Sequence, residues 1–184
     1  MYLTQLYPNP RSYTETGGIY RFGTHVDMEL SFSPCPETAR RLVYLWQRFT
    51  CGCSTLTLIP GSGNGFTARN GKVEDAYRIR ITETGIALTG GSEKAFLGGF
   101  MILLQCIEPI CLDCGKEAFV LQAAEILDAP KIKFRAIHLC VFPESQRHTL
   151  EKAIHLAGFL HLTHVVLEFW GTYPYQSMSS LHWH

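Results

Sequence analysis

The stretch IKFRAIHLCV (Ile132–Val141) is followed by TLEKAIHLAGFLH (Thr149–His161) and VVL (Val165–Leu167). The first has the apolar and β-branched content of a strand, and the second carries apolar residues on one face at helical spacing. The third is a short, continuously apolar strand of the kind found in buried parallel sheets. Together they predict a βαβ unit whose strands are parallel neighbours joined by a right-handed crossover.

The residues before this unit predict a mixture of helices and antiparallel strands. Apolar residues recur at three- and four-residue intervals over Ala39–Phe49, which indicates an amphipathic helix. Glu93–Ile107 predicts a second helix with a broad apolar face. The predicted strands are Ile19–Phe22, Thr55–Ile59, Tyr77–Ile81 and Gly85–Thr89, of which the last two form a hairpin.

The character of the sequence changes at Asp128-Ala129-Pro130, and a domain boundary is predicted there. We expect an α+β domain over residues 1–128 and a single βαβ unit over residues 129–184. A closed barrel of eight such strands needs ~250 residues. The sequence therefore predicts only the start of a (β/α)8 barrel.

Charge and hydropathy exclude several classes of partner. Sixteen basic residues balance sixteen acidic ones, and they are scattered along the chain, so the basic patch that nucleic-acid binding needs is missing. No segment approaches the ~18 uncharged apolar residues of a membrane span, and the amino terminus lacks the pattern of a secretory signal. We expect a soluble, cytoplasmic protein that binds neither nucleic acid nor membrane.

Seven cysteines, an odd number, favour free thiols over a closed disulfide framework. Cys51, Cys53, Cys111 and Cys114 offer four thiolates to a zinc ion, but a CxC pair is not the usual zinc-binding spacing, and we expect no metal. The glycine-rich stretch Gly61–Gly65 is not followed by a helix start, which argues against a phosphate or nucleotide site. No cofactor is predicted.

Four segments, in order along nearly the whole chain, resemble glycoside hydrolase family 20, the β-N-acetylhexosaminidases. They are Leu6–Pro10 with Gly18–Tyr20, Glu74–Ile81 with Gly85–Ile86, Phe96–Gln105, and Asp128–Leu139. The resemblance implies an α+β accessory domain followed by a catalytic barrel. It also implies that the parent enzyme hydrolyses terminal N-acetylhexosamine residues from carbohydrates.

In that family one Glu acts as general acid/base, and an adjacent Asp orients the acetamido group of the substrate, which is the nucleophile. The resemblance puts this Asp-Glu pair at the end of the fourth barrel strand, beyond the two strands predicted here. We therefore expect no catalytic residue in this chain and no hydrolysis by the 184-residue chain alone.

The sequence departs from the family pattern at several points, which indicates a divergent branch. The family's Arg-Gly is Arg135-Ala136 here, and its Leu-Asp is Leu139-Cys140. Its His-x-His falls on Val166-Leu167-Glu168, where two polar side chains are lost and a carboxylate is gained.

Three residues are candidates for substrate binding in the parent. Arg135 matches the family arginine that hydrogen-bonds sugar hydroxyls; the alternative is pairing with a nearby carboxylate. Glu168 closes an apolar strand, and either contacts a hydroxyl or pairs with another residue of the barrel. Trp170 offers a flat aromatic surface of the kind that stacks on sugar rings. His138 and His164 are expected to be packing or surface residues, because no third ligand is spaced to join them.

Exposed strand edges and apolar faces of an open βαβ unit are expected to cause self-association. A competing hypothesis is a stand-alone module that binds carbohydrate or protein without enzymatic activity. The residues encoded after His184 distinguish the two.

Overall fold

The computed structural model describes residues 6–30, 32–60, 75–111 and 118–170. The chain divides into two compact units, Met1–Pro130 and Lys131–His184. The division lies two residues beyond the boundary expected at Asp128. The glycine-rich stretch Gly61–Gly65 and Cys114 are outside the described residues.

In its described part, the first unit contains seven strands and two helices. The strands are β1 (Ser12–Phe22), β2 (His25–Leu30), β3 (Thr55–Pro60), β4 (Tyr77–Thr82), β5 (Gly85–Gly90), β6 (Glu108–Cys111) and β7 (Ala118–Asp128), and the helices are α1 (Pro36–Phe49) and α2 (Glu93–Gln105). The two predicted helices and the predicted hairpin are present, whereas β2, β6 and β7 were not expected from the sequence.

All seven strands join one sheet in the order β1-β7-β4-β5-β2-β3, with β6 alongside β7. Strand β7 pairs with three other strands: with β1 along most of its length, and also with β4 and β6. Strand β2 is parallel to both β3 and β5, and the other pairs are antiparallel. Helix α1 lies between β2 and β3 in the chain. It forms the crossover that two parallel strands need, because a short turn cannot connect them.

One face of the sheet forms the core. In β2 the apolar residues Val26, Met28 and Leu30 are buried, while the intervening polar residues are exposed, and β4 shows the same alternation. This period of two is the pattern of a strand that is covered on one face only. Helices α1 and α2 contact strands β3, β4 and β5 and each other, so they cover that face.

Helix α2 is buried over most of its surface, and Gly99 allows it to lie close to the sheet. A Cβ atom at this position would come within 2.7 Å of Leu88 Cδ1 and 2.9 Å of Tyr77 Cδ2. Helix α1 is more amphipathic and directs Leu42 and Trp46 inward, where both are fully buried. Among the described residues, no helix is long and apolar enough to cross a membrane.

The amino terminus of α1 is capped by a side chain from the other helix. The N-cap residue Cys35 makes no capping bond with its own side chain. Instead, its backbone N–H donates to Glu93 Oε1 at 2.6 Å, and the Thr38 hydroxyl donates to Glu93 Oε2 at 3.2 Å. These bonds, led by the backbone bond from Cys35, lower the pKa of Glu93 below its ordinary value of 4.5. One carboxylate thus ties the starts of α1 and α2 together.

This cap predicts a pH-dependent effect of Glu93→Gln on thermal stability. A carboxyl group whose pKa is lowered by folding stabilises the fold above its unfolded pKa, and the stabilisation is lost as the pH falls through the folded value. We expect Glu93→Gln to lower the melting temperature modestly at pH 7, and the difference from wild type to shrink below pH 4.5. Glu37→Gln, which changes the carboxylate in the first turn of α1, is the control. Coincident melting curves of the two variants from pH 3 to pH 8 would contradict this assignment.

The second unit consists of β8 (Ala136–Val141), α3 (Arg147–Phe159) and β9 (His164–Phe169) in its described part. The strands are parallel and pair in continuous register from Ala136 opposite His164 to Val141 opposite Phe169. The predicted parallel βαβ arrangement is therefore confirmed. The first strand begins at Ala136 rather than at Ile132, because the preceding residues make no ladder with β9.

Candidate functional site

Three polar residues of the second unit, His138, Cys140 and Glu168, share one face of the β8–β9 pair. Side chains alternate between the two faces of a strand, so His138 and Cys140 share a face. The residues between and beyond them, Ile137, Leu139 and Val141, are less exposed. Register places Glu168 directly opposite Cys140, and its side chain therefore joins the same polar face. The backbone ladder brings these three side chains together.

The three side chains are in mutual contact. His138 Nε2 lies 2.9 Å from Glu168 Oε2. The Cys140 thiol donates to the same carboxylate oxygen, with Sγ and Oε2 3.6 Å apart. One ligand atom from each residue lies within 4.8 Å of the other two. We call His138, Cys140 and Glu168 the polar triad.

The Glu168 carboxylate also affects the thiol. Partial desolvation, then the hydrogen bond to Glu168 and its negative charge, raise the pKa of Cys140 above its ordinary value. The side chains of His138 and Glu168 are 54% and 43% exposed, so solvent and solutes reach the triad in this structure. The thiol and the imidazole are both accessible to a ligand.

His138 is exposed at the surface, as expected, but Cys140 and Glu168 lie beside it, which the sequence spacing did not indicate. The reason is that the third group is not near it in sequence: Glu168 is 30 positions further on and is brought alongside by the parallel pairing. His164 lies at the other end of β9, where its ring contacts Phe134 at 4.5 Å between centroids and its Nδ1 lies 2.7 Å from Thr163 Oγ1. It is separate from the triad.

Trp170 lies immediately after β9, at the carboxyl end of the pair. Its backbone N–H donates to the Val141 carbonyl at 2.8 Å, which extends the pairing by one residue. Its indole stacks on the Phe142 ring, with centroids 6.3 Å apart and an interplanar angle of 28°. Both rings are about half exposed. Glu168 and this aromatic pair therefore lie near the same end of the two strands.

Arg135 lies at the opposite end, directly before the first residue of β8. Its Nε donates to the His161 carbonyl at 2.9 Å, and Nη1 donates to the Ile132 carbonyl. Its backbone N–H donates to Thr163 Oγ1, and the Thr163 hydroxyl donates to its backbone carbonyl. In this structure Arg135 joins the segments that lead into β8 and β9, about 16 Å along the strand from the level of Glu168. Its sugar-binding role stays a prediction.

The cysteine pairs weighed for zinc are only partly described. Cys53 Sγ lies 3.5 Å from the Cys51 carbonyl, and both residues follow the end of α1. The side chains of Cys111 and Cys114 are outside the described residues. The described cysteine side chains at positions 35, 51, 106 and 140 are free thiols rather than disulfides.

The fold resembles that of solved glycoside hydrolase family 20 enzymes. It matches an inactive variant of the family 20 exo-β-N-acetylglucosaminidase from Vibrio harveyi with a TM-score of 0.71 and 18% identity, over 90% of this chain and 25% of that chain. It matches the N-acetyl-β-hexosaminidase of Streptomyces plicatus with a TM-score of 0.68 and 18% identity, over 91% of this chain and 34% of that one. For the β-N-acetylhexosaminidase of Bacteroides fragilis, the TM-score is 0.63 and the identity 19%, over 87% and 32% of the chains.

These likenesses are structural, and the sequences are distant. No protein-family model matches the sequence, and a search of curated proteins finds no match. The chain spans about a quarter to a third of the enzymes it resembles, and the likeness is to their amino-terminal part. At this level of identity the comparison establishes a mixed α/β fold shared with that part of the family.

Proposed function

We propose that this chain is the amino-terminal part of a divergent glycoside hydrolase that resembles the β-N-acetylhexosaminidases. The observation that carries the proposal is the structural likeness of 90% of this chain to the amino-terminal part of a family 20 enzyme. On this view the first unit is the accessory domain, and β8, α3 and β9 begin a (β/α)8 barrel. The parent would release terminal N-acetylhexosamine from carbohydrates.

The distribution of apolar surface supports a barrel that continues. In the described part of the chain, ten of the sixteen exposed large hydrophobic residues lie in the second unit. They occur on β9, on α3 and in the flanking segments. Folded monomers seldom leave so much apolar surface uncovered. Further strands and helices of the same barrel are the elements that would cover it.

The polar residues have positions suited to this role. Barrel enzymes build their active sites at the carboxyl ends of the strands. Glu168 and Trp170 lie near that end, and we propose that in the parent they hydrogen-bond a hydroxyl and stack on a sugar ring. Arg135 lies near the amino end, so its reach to sugar requires its bonds to the Ile132 and His161 carbonyls to break. The chain supplies binding groups, and the acid/base and orienting carboxylates would come from later strands.

The reading frame that encodes this chain tests the proposal. We expect codons after His184 to specify six further βα units, with an adjacent Asp-Glu pair at the end of the fourth barrel strand. A stop codon at this point, or a following domain without repeated βα units, would instead support the stand-alone binding module. The cytoplasmic location remains a prediction.

We also propose that the 184-residue chain associates with itself through the second unit. Leu156 on α3 is 55% exposed, and Tyr44 on α1, in the first unit, is 57% exposed. Substitution of Tyr44 is therefore a control for substitution of Leu156. We expect Leu156→Lys to shift the chain toward monomer in multi-angle light scattering, because it places a charge on the uncovered surface. Tyr44→Lys should leave the mass unchanged. A monodisperse wild-type monomer at micromolar concentration would contradict the prediction.

A further inference from the structure

We propose that His138, Cys140 and Glu168 form a binding site for a divalent transition-metal ion, with zinc as the best match. The inference goes beyond the proposed glycosidase function and does not depend on it. It rests on the donor set of the polar triad, on the distances between the donor atoms and on the way in which the strand pairing holds them.

The donor set is that of zinc sites. An imidazole nitrogen, a thiolate sulfur and a carboxylate oxygen are the three donor types that bind Zn²⁺ in proteins. The cysteine discriminates against Mg²⁺ and Ca²⁺, which take oxygen ligands. His138 Nε2 and the Cys140 thiol are both directed at Glu168 Oε2, so the three donor types converge on one point.

The three donor atoms lie within 4.8 Å of one another, which is near the spacing that a tetrahedral ion requires. Ligands bound to zinc at 2.0–2.3 Å lie about 3.3–3.8 Å from one another. The separation of Cys140 Sγ and Glu168 Oε2, 3.6 Å, falls within that range. The 2.9 Å between His138 Nε2 and Glu168 Oε2 must open by a few tenths of an ångström. Both side chains are about half exposed and have the freedom to do so.

The backbone fixes the arrangement. His138 and Cys140 are two residues apart on β8, and Glu168 is paired with Cys140 across the ladder. No change of fold is therefore needed for the three groups to reach one ion. Three protein ligands leave a fourth position for water or another small ligand, as in open zinc sites.

Metal titration of the purified, reduced and chelator-treated chain tests the proposal. We expect one Zn²⁺ per chain by calorimetry, and one Co²⁺ per chain with a sulfur-to-cobalt charge-transfer band. Cys140→Ser should abolish that band, and His138→Gln and Glu168→Gln should each weaken binding by at least about tenfold, the lower end of the losses seen even for outer-shell partners. The substituted side chains are exposed, and circular dichroism will verify that the variants fold.

Two controls separate this site from others in the chain. His25 Nε2 lies 2.9 Å from Asp27 Oδ1, an exposed histidine–carboxylate pair outside the triad, so His25→Gln should bind metal as the wild type does. The double variant Cys51→Ser, Cys53→Ser should also behave as wild type. No metal bound by the wild type, unchanged binding by Cys140→Ser, or loss of binding only in the Cys51/Cys53 variant would each overturn the proposal. None of these results depends on sugar binding or hydrolysis.

Discussion

Trp46→Ala is expected to lower the free energy of unfolding of the first unit by about 3–5 kcal/mol, the range for removal of a large buried aromatic side chain. Trp46 is fully buried on the inner face of α1, and its ring packs 5.2 Å from Phe22 and 6.4 Å from Phe100 between centroids. The substitution leaves a cavity where α1, α2 and β1 meet. Domains of this size are stable by roughly 5–15 kcal/mol, so the loss is a large fraction of the total.

Urea denaturation followed by circular dichroism measures the effect. Trp46→Phe should cost clearly less, because it keeps an aromatic ring and removes a buried indole N–H that has no hydrogen-bond partner in the described structure. Tyr44→Ala, on the exposed side of the same helix, should stay within about 0.5 kcal/mol of wild type. If Trp46→Ala and Tyr44→Ala have equal effects, α1 does not pack as described.

Gly90→Ala is expected to destabilise the first unit by about 1–3 kcal/mol, the usual cost of overpacking. Gly90 ends β5, and a Cβ atom there would lie 2.7 Å from the backbone nitrogen of Phe96 and 2.8 Å from its Cα. No rotamer change relieves contact with backbone atoms. The start of α2 must therefore move away from the end of β5.

Gly85→Ala is the matched control, because Gly85 begins the same strand and a Cβ atom there meets nothing within 4 Å. We expect this variant to remain within about 0.5 kcal/mol of wild type, or to gain slightly from the reduced freedom of its unfolded chain. Equal unfolding midpoints for the two alanine variants would contradict the close approach of α2 to β5.

Much of the secondary structure could be predicted from the sequence, because several segments carry a clear period. The spacing of Leu42 and Trp46 marks the buried face of α1, and the alternation of Tyr77, Ile79 and Ile81 marks the inner face of β4. These residues are buried as predicted, whereas Phe49, which the same spacing places on the apolar face of α1, is 42% exposed. Parallel pairing of β8 and β9 followed from the short connection through a helix.

The strands that were not predicted have weaker local signals. β2 alternates in the required way, but Asp27 and Glu29 are poor strand formers. β7 contains Gln122-Ala123-Ala124-Glu125, residues with high helix propensity, and it is a strand because β1 and β4 pair with it on both edges. Such pairing depends on distant parts of the chain, and so does the strand order of the sheet.

The contacts of the candidate site also depend on pairing between distant parts of the chain. Glu168 and Trp170 were proposed from their position at the end of an apolar strand, but the contact of His138 and Cys140 with Glu168 depends on the register between two strands. A one-residue shift of that register would turn Glu168 to the opposite face. Arg135 was proposed from a sequence motif. The motif does not show that the guanidinium group donates its hydrogen bonds to backbone carbonyls.

The proposal that this chain begins a β-N-acetylhexosaminidase-like hydrolase can be tested by the rate of hydrolysis of an aryl N-acetyl-β-glucosaminide. The purified 184-residue chain and the product of its complete reading frame should be assayed side by side. We expect hydrolysis by the complete product that is abolished when its Asp-Glu pair is replaced by amides, and no rate above background for the 184-residue chain. Hydrolysis by the 184-residue chain itself, or a complete product that neither binds nor cleaves N-acetylhexosaminides, would contradict the claim.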